Sequence, residues 1–232
     1  MKIALFGYGK MGKMIAQMAI DRGHVIVAKI DVDTINIEYS EMDVAIDFSM
    51  PDAAYANIRS CLENNVPVIS GTTGWLENYE KAINLCKEKK GAFIYASNFS
   101  LGVNVFFELN EYLGRMMKTL NQYRVSMEEI HHTQKLDAPS GTAITLAEGI
   151  MANTNYTGWK LDKVSENEVL INSKREGTVP GTHTVIYKSE VDDIEIKHTA
   201  HNREGFALGA VIAAEWIVGK KGVFTMKDVL GL

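Results

Sequence analysis

The sequence predicts an α/β protein in two parts, a parallel-sheet nucleotide-binding domain followed by a mixed α+β domain. Three observations lead there. Short β-prone runs alternate with amphipathic helical stretches through the first hundred or so of the 232 residues. A glycine turn of the form G-x-G-x-x-G joins the first strand to the first helix. Beyond residue 100 the alternation gives way to several strands with few helices between them.

Composition narrows the function classes. With 46% hydrophobic and 23% charged residues the chain can bury a sizeable core. A net charge of -5 argues against general nucleic-acid binding, which needs clustered cations to neutralise phosphates. Five of the six histidines (His131, His132, His183, His198 and His201) fall in the second half, where an acidic small molecule could bind. Cys61 and Cys86 are too few and too far apart for a disulfide framework or a Cys-rich metal site, so two reduced thiols packed on helices are expected. The opening apolar run breaks at Gly7, far short of the roughly 18 residues of a membrane span. With no cleavable signal visible, the expected location is cytoplasmic.

The elements follow in order. Lys2 to Phe6 is a short buried parallel strand bounded by Gly7. Gly7-Tyr8-Gly9-Lys10-Met11-Gly12 then opens a helix. The first glycine permits the tight turn, the second lets the backbone approach a pyrophosphate, and the third lets helix and strand pack closely. Free N–H groups at the helix start favour phosphate. A second strand, HVIVAKID, ends at Asp31, about twenty residues beyond the glycines, where a carboxylate can accept from an adenosine ribose. This is a Rossmann-type fingerprint, and NADH or NADPH is the expected cofactor. Asp31 repels a 2′-phosphate and so favours NAD, whereas Lys29 can offset it.

MDVAIDFS, VPVISGTTGW and GAFIYASNFS supply three more strands, with PDAAYANIRSCLENN and LENYEKAINLCKEKK as the helices between them. In the latter, Leu76, Tyr79, Ile83 and Cys86 recur at helical spacing. Phe48-Ser49, Gly71-Thr72-Thr73 and Ala96-Ser97-Asn98-Phe99 close these strands, at the ends where such sheets bind ligands. VNVFFELNEYLGRMMKTL is the next helix. Strands follow at YRVSMEEIHH, EVLINSKRE, HTVIYKSE and DIEIKHTAH. EGFALGAVIAAEWIVGK is apolar almost all round, which predicts a buried helix returning to the first domain. The expected division is 1–100 with 207–232, and 101–206.

The densest chemistry lies in HHTQKLDAPSGTA. His131 and His132 stand at a strand end, and neighbours on a strand point to opposite sides, so the two imidazoles should do different jobs. Ser140 is a good N-cap for a helix whose apolar stripe is Ala143, Leu146, Ala147 and Ile150. Ala143 stands where a capping box needs Glu or Gln, so the Gly141 and Thr142 N–H groups are expected to face an external anion, a substrate carboxylate being the simplest. Lys135, in the intervening loop, could donate a proton. No metal is expected: HHxxxK lacks the spacing of H-E-x-x-H, and lysine is a poor ligand.

This run, with GYGKMG, DFSMPDA, GTTGW, ASNFSLGVN, REGTVPGTH, HTAHNR and GVFTMKDVL, resembles the dihydrodipicolinate reductase family along nearly the whole chain. The resemblance implies nicotinamide-dependent reduction of 4-hydroxy-tetrahydrodipicolinate, a cyclic dicarboxylate of diaminopimelate and lysine biosynthesis. It also implies a homotetramer assembled through the substrate domain. By position, His131 and Lys135 match the family's catalytic pair, and His132, Gly141 and Thr142 its dicarboxylate-binding groups. Gly7 to Gly12, Asp31, Gly71 to Thr73 and Ala96 to Phe99 match its cofactor contacts. Arg203, in HNREGF, is a further candidate near the expected hinge. One departure concerns the adenosine pocket: only about ten residues separate Asp31 from Met42, where many members carry a longer insertion. Two rival readings are another two-domain dehydrogenase acting on aspartate or diaminopimelate, and a nicotinamide-sensing regulator. The second would need a partner-binding module that the sequence does not display.

Overall fold

In the computed structural model, residues 1–34 and 36–232 are described. The chain divides into two compact units, Met1–Leu101 with Glu204–Leu232, and Gly102–Arg203.

The first unit is built on six parallel strands: β1 (Lys2–Phe6), β2 (Val25–Ile30), β3 (Val44–Asp47), β4 (Val68–Ser70), β5 (Ala92–Tyr95) and β11 (Gly222–Phe224). Their order across the sheet is β11-β5-β4-β3-β1-β2, and each adjacent pair is parallel. Strand period 2 divides β1 between two cores. Ile3 and Leu5 pack with α1 (Lys10–Asp21) and α6 (Glu204–Ile217), while Ala4 and Phe6 pack with α2 (Pro51–Glu63) and α3 (Tyr79–Lys89). Both faces are therefore covered, which is why these strands are continuous apolar runs rather than alternating ones. Each fully buried Ile or Leu here contributes roughly 1.5–3 kcal/mol.

Helix α6 buries Ala207, Gly209, Ala210, Val211, Ala213, Ala214 and Ile217 on this sheet, matching its all-round apolar sequence. Its close approach depends on Gly209, where a Cβ would lie 1.7 Å from the Phe99 carbonyl oxygen. Helix α3 begins three residues later than its pattern suggested. Leu76–Asn78 form a 3-10 turn, and Leu76 is exposed instead of joining the buried stripe of Ala82 and Cys86. Cys61 and Cys86 are free, buried thiols on α2 and α3, and burial pushes both upward in pKa.

The second unit holds a five-stranded mixed sheet of order β10-β9-β6-β8-β7. These strands are β6 (Arg124–His131), β7 (Gly158–Lys160), β8 (Glu168–Arg175), β9 (Gly181–Lys188) and β10 (Asp193–Ala200). Central β6 runs parallel to β8 and antiparallel to β9. Val125 and Met127 of β6, Val169 and Ile171 of β8, and Val185 of β9 pack against α4 (Leu101–Met117) and α5 (Gly141–Asn153). Among the described residues no helix is long and apolar enough to cross a membrane. Strands β7 and β11 and the short helix α7 (Met226–Leu230) went unassigned in the sequence, since three to five residues are too few to display a period.

Candidate active site

The first unit's chain reverses direction across its sheet between β1 and β3, and ligands of open α/β sheets bind beyond the strand ends at that point. A cleft of about 550 Å³ opens there. It is lined by Gly7, Tyr8 and Gly9 after β1, Asp31, Val32 and Thr34 after β2, and Phe48, Ser49 and Met50 after β3. The glycines behave as their spacing requires. Gly7 has φ +89° and a Cβ there would lie 2.2 Å from the Phe48 carbonyl oxygen. At Gly12 a Cβ would lie 2.2 Å from the Gly7 oxygen, so only glycine lets α1 press on the turn. Gly9, the N-cap of α1, has nothing within 4 Å of where a Cβ would stand, leaving room for a phosphate. No acidic residue occupies the helix's first turn to oppose an anion.

Asp31 is exposed at the cleft with its carboxylate accepting the Val32 N–H at 3.0 Å. The short stretch that follows β2 is itself the cleft wall, through Val32, Thr34 and Ile37. Lys10 is exposed at the start of α1, and Met11 packs on the core. Gly71, Thr72 and Thr73 follow β4 and Ala96 to Phe99 follow β5, outside the lining of this cleft. Thr73 and Ser97 are exposed, whereas Phe99 is buried against the Phe48 ring at 5.7 Å between centroids.

Sequence reading missed the group that organises these loops. Asp47, the fully buried last residue of β3, accepts from Ser49 Oγ at 2.6 Å, Asn57 Nδ2 at 3.0 Å, Ser70 Oγ at 2.8 Å and Thr72 Oγ1 at 2.8 Å. Thr72 Oγ1 in turn accepts the Ser49 N–H at 2.9 Å. One carboxyl therefore ties the loops after β3 and β4 to α2, and two of its partners, Ser49 and Asn57, line the cleft.

In the second unit the alternation of β6 sets the site. Val125, Met127, Glu129 and His131 share its buried face. The face is apolar in the strand's first half and polar in its last turn of the pleat. The sheet register places Ser173 and His183 on either side of Glu129, and Arg175 beside His131. His131 Nε2 lies 3.3 Å from His183 Nε2 and 3.4 Å from Glu129 Oε2. Its Nδ1 faces the Pro180 carbonyl at 3.2 Å, which fixes the proton on Nδ1 in the neutral ring. Glu129 accepts from the Ser140 N–H at 3.1 Å on both oxygens and from Ser173 Oγ at 2.6 Å. The Arg175 guanidinium stands 3.3 Å away. Burial alone would raise the Glu129 pKa, but the facing imidazoles and the Ser140 and Ser173 donors outweigh it and hold it far below the usual range. Burial pushes His183 downward, more strongly than Glu129 pulls it up.

His132, the first residue after β6, is half-buried. Lys135 is not an isolated buried amine: its side chain is 22% exposed and its ammonium lies 2.8 Å from the Asp137 carboxylate, whose pKa that hydrogen bond lowers. Ser140 caps α5 as expected, accepting the Ala143 N–H at 3.2 Å. Gly141 faces open space, with nothing within 4 Å of a Cβ position. Thr142 already has a partner within the chain. Thus His131, Lys135 and Gly141 are gathered at one end of the sheet. Glu129, Ser173, Arg175 and His183 join them unforeseen. Glu129 was legible as the residue two before His131 on the same strand face. His183 comes from β9, and no local signal places it there.

Comparison with known proteins agrees along the whole chain. Residues 1–99 match the family model for the dihydrodipicolinate reductase N-terminus and residues 102–230 that for its C-terminus. The 4-hydroxy-tetrahydrodipicolinate reductase of Christiangramia forsetii is 59% identical, covering 99% of this chain and 98% of its own. That of Thermosipho africanus is 40% identical over the same shares. In fold, a dipicolinate-bound dihydrodipicolinate reductase from Paenisporosarcina sp. TG-14 superposes with a TM-score of 0.79 at 23% identity, covering 98% of each chain. On these grounds the chain belongs to the dihydrodipicolinate reductase family.

Proposed function

We propose that the protein reduces 4-hydroxy-tetrahydrodipicolinate to tetrahydrodipicolinate at the expense of NADH or NADPH, within diaminopimelate and lysine biosynthesis. The observation that carries this is full-length kinship at 59% identity to a reductase of that name. The site chemistry supports it. A dinucleotide would be held at its pyrophosphate by the Gly9 turn and the start of α1, at its ribose by Asp31, and toward its nicotinamide by Gly71 to Thr73 and Ala96 to Phe99. Lys29, whose ammonium lies 4.6 Å from the Tyr8 ring centroid, is the nearby cation that would accept a 2′-phosphate, so both nucleotides remain candidates. The nicotinamide supplies the hydride.

The remaining work falls to the chain. Gly141 at the α5 start, with Thr142 and His132, holds the substrate carboxylates. Lys135 protonates the electron-rich atom left after hydride addition. Asp137 keeps that ammonium in place, and its low pKa leaves it anionic and able to re-orient the lysine. His131 assists by orienting substrate and proton through Nε2, its ring fixed by Pro180 at one nitrogen and Glu129 and His183 at the other. The homotetramer is supported by Val105, Leu109, Tyr112 and Met116, exposed apolar residues at helical spacing on α4.

The test couples the upstream synthase to the purified protein and follows loss of reduced-nicotinamide absorbance with each nucleotide. Oxidation dependent on the synthase product is expected. Oxidation of neither nucleotide would overturn the proposal, and turnover with aspartate or diaminopimelate and NAD instead would favour the amino-acid dehydrogenase reading.

A further inference from the structure

We propose that Glu129, His131 and His183 form a binding site for a zinc-class divalent ion. The spacing of histidines along the sequence hid it, because the third ligand arrives from another strand. All three residues are buried, and their ligand atoms lie within 4.8 Å of one another. The three facing atoms are His131 Nε2, His183 Nε2 and Glu129 Oε2, with edges of 3.3, 3.4 and 3.6 Å. Zinc–nitrogen and zinc–oxygen bonds of about 2.0–2.2 Å in a tetrahedron require ligand atoms about 3.3–3.6 Å apart. The protein thus presents one face of that tetrahedron with little rearrangement, and leaves a fourth position for water or a ligand.

The orientation of His131 and Glu129 favours the same outcome. The Pro180 carbonyl can only accept, so His131 carries its proton on Nδ1 and turns a lone pair from Nε2 into the cluster. Such a carbonyl behind a ligating histidine is the usual support for a metal-bound ring. Ser140 Oγ lies 3.1 Å from His183 Nε2 and accepts the Ala143 N–H, so its own proton, given to Nε2 in the metal-free protein, would turn away when an ion takes that lone pair. Glu129 Oε1 is held by Ser173 Oγ and Arg175, and this leaves Oε2 turned to the imidazoles. Three electron-rich atoms therefore converge and are stabilised by either a shared proton or a cation. Arg175 opposes a dication, but it stands on the far oxygen. An ion here would occupy His131 Nε2, so it should inhibit the proposed reduction; that consequence rests on the catalytic reading of His131, whereas binding itself does not.

The experiment titrates the metal-free protein with Zn²⁺ against a chromogenic indicator, with Mg²⁺ as the hard-ion control. Wild type should take up zinc and not magnesium, and His183→Asn and Glu129→Gln should each weaken zinc binding by at least about tenfold. X-ray absorption of the wild-type zinc complex should display two imidazole nitrogens and a carboxylate oxygen. Zinc binding unchanged in His183→Asn overturns the proposal. A first shell without two imidazoles overturns it even if a variant misfolds, and absence of zinc uptake means the cluster holds only a proton. Binding is read without turnover, so its failure and a failure of the reductase reading are separable.

Discussion

Replacing Asp47 with asparagine tests whether one buried carboxyl organises the nucleotide cleft. The group accepts four side-chain hydrogen bonds. Asparagine keeps the shape but exchanges one acceptor oxygen for a donor. If the amide nitrogen takes the Oδ2 side, the Ser70 and Thr72 hydroxyls can accept from it, but their own protons then lose their acceptor. Thr72 Oγ1 already accepts the Ser49 N–H, which limits how far it can turn. On the other side Asn57 can flip its amide to compensate, so about two donors are left unmet. At roughly 1–3 kcal/mol each, partly offset by the easier burial of a neutral amide, the net loss is about 2–4 kcal/mol. For a chain of this size that lowers Tm by about 4–16 °C. Circular dichroism melts measure it, and nucleotide titration of the same samples should reveal weaker binding because Ser49 and Asn57 line the cleft. A melt within about 0.5 kcal/mol of wild type, the ordinary range for a neutral surface change, would refute the reasoning.

Three other perturbations follow from the same geometry. Gly12→Ala puts a Cβ 2.2 Å from the Gly7 oxygen and should cost about 1–3 kcal/mol while weakening nucleotide binding; an unchanged melt and affinity would mean that α1 does not need the close approach. Gly141→Leu enters open space, so stability should hold while substrate KM rises far more than nucleotide Kd; equal loss of both would remove Gly141 from the substrate site. The second unit should weaken in acid in two stages, visible in melts across a pH series. His183, depressed below its ordinary 6.5, lets the unfolded chain bind a proton first, so stability falls as pH drops below about 6.5. Glu129, depressed below 4.5, adds stability that is fully present above about 4.5 and lost as pH falls toward its lowered value. Glu129→Gln should shrink the second stage to what Asp137 and Glu168, also depressed, still contribute, and a flat profile would contradict both.

Much of the fold was legible because its signals are local. Strand, glycine turn and helix at Lys2 to Ile20 carry their own period and punctuation, and the apolar circumference of α6 announced its burial on the parallel sheet. The Ser140 cap and the exposed Gly141 were also readable from neighbouring residues. What escaped depends on sheet register. His183 meets Glu129 only because β9 pairs with β6, and Ser173 arrives through β8. Asp47 ends a strand, and its four partners come from the loop after β3, from α2, from the end of β4 and from the loop after it. Lys135 was read as a proton donor, and loop geometry pairs it with Asp137, two residues along. No periodicity encodes such pairings.

The central claim is that the loop after β6 carries proton transfer while a separate cleft carries the nucleotide. Lys135→Ala, assayed for turnover and nucleotide Kd on one preparation, tests it most directly. Turnover should fall by about 10²–10⁴-fold, the usual contribution of a positioned acid, with nucleotide Kd unchanged. Turnover near that of wild type would contradict it.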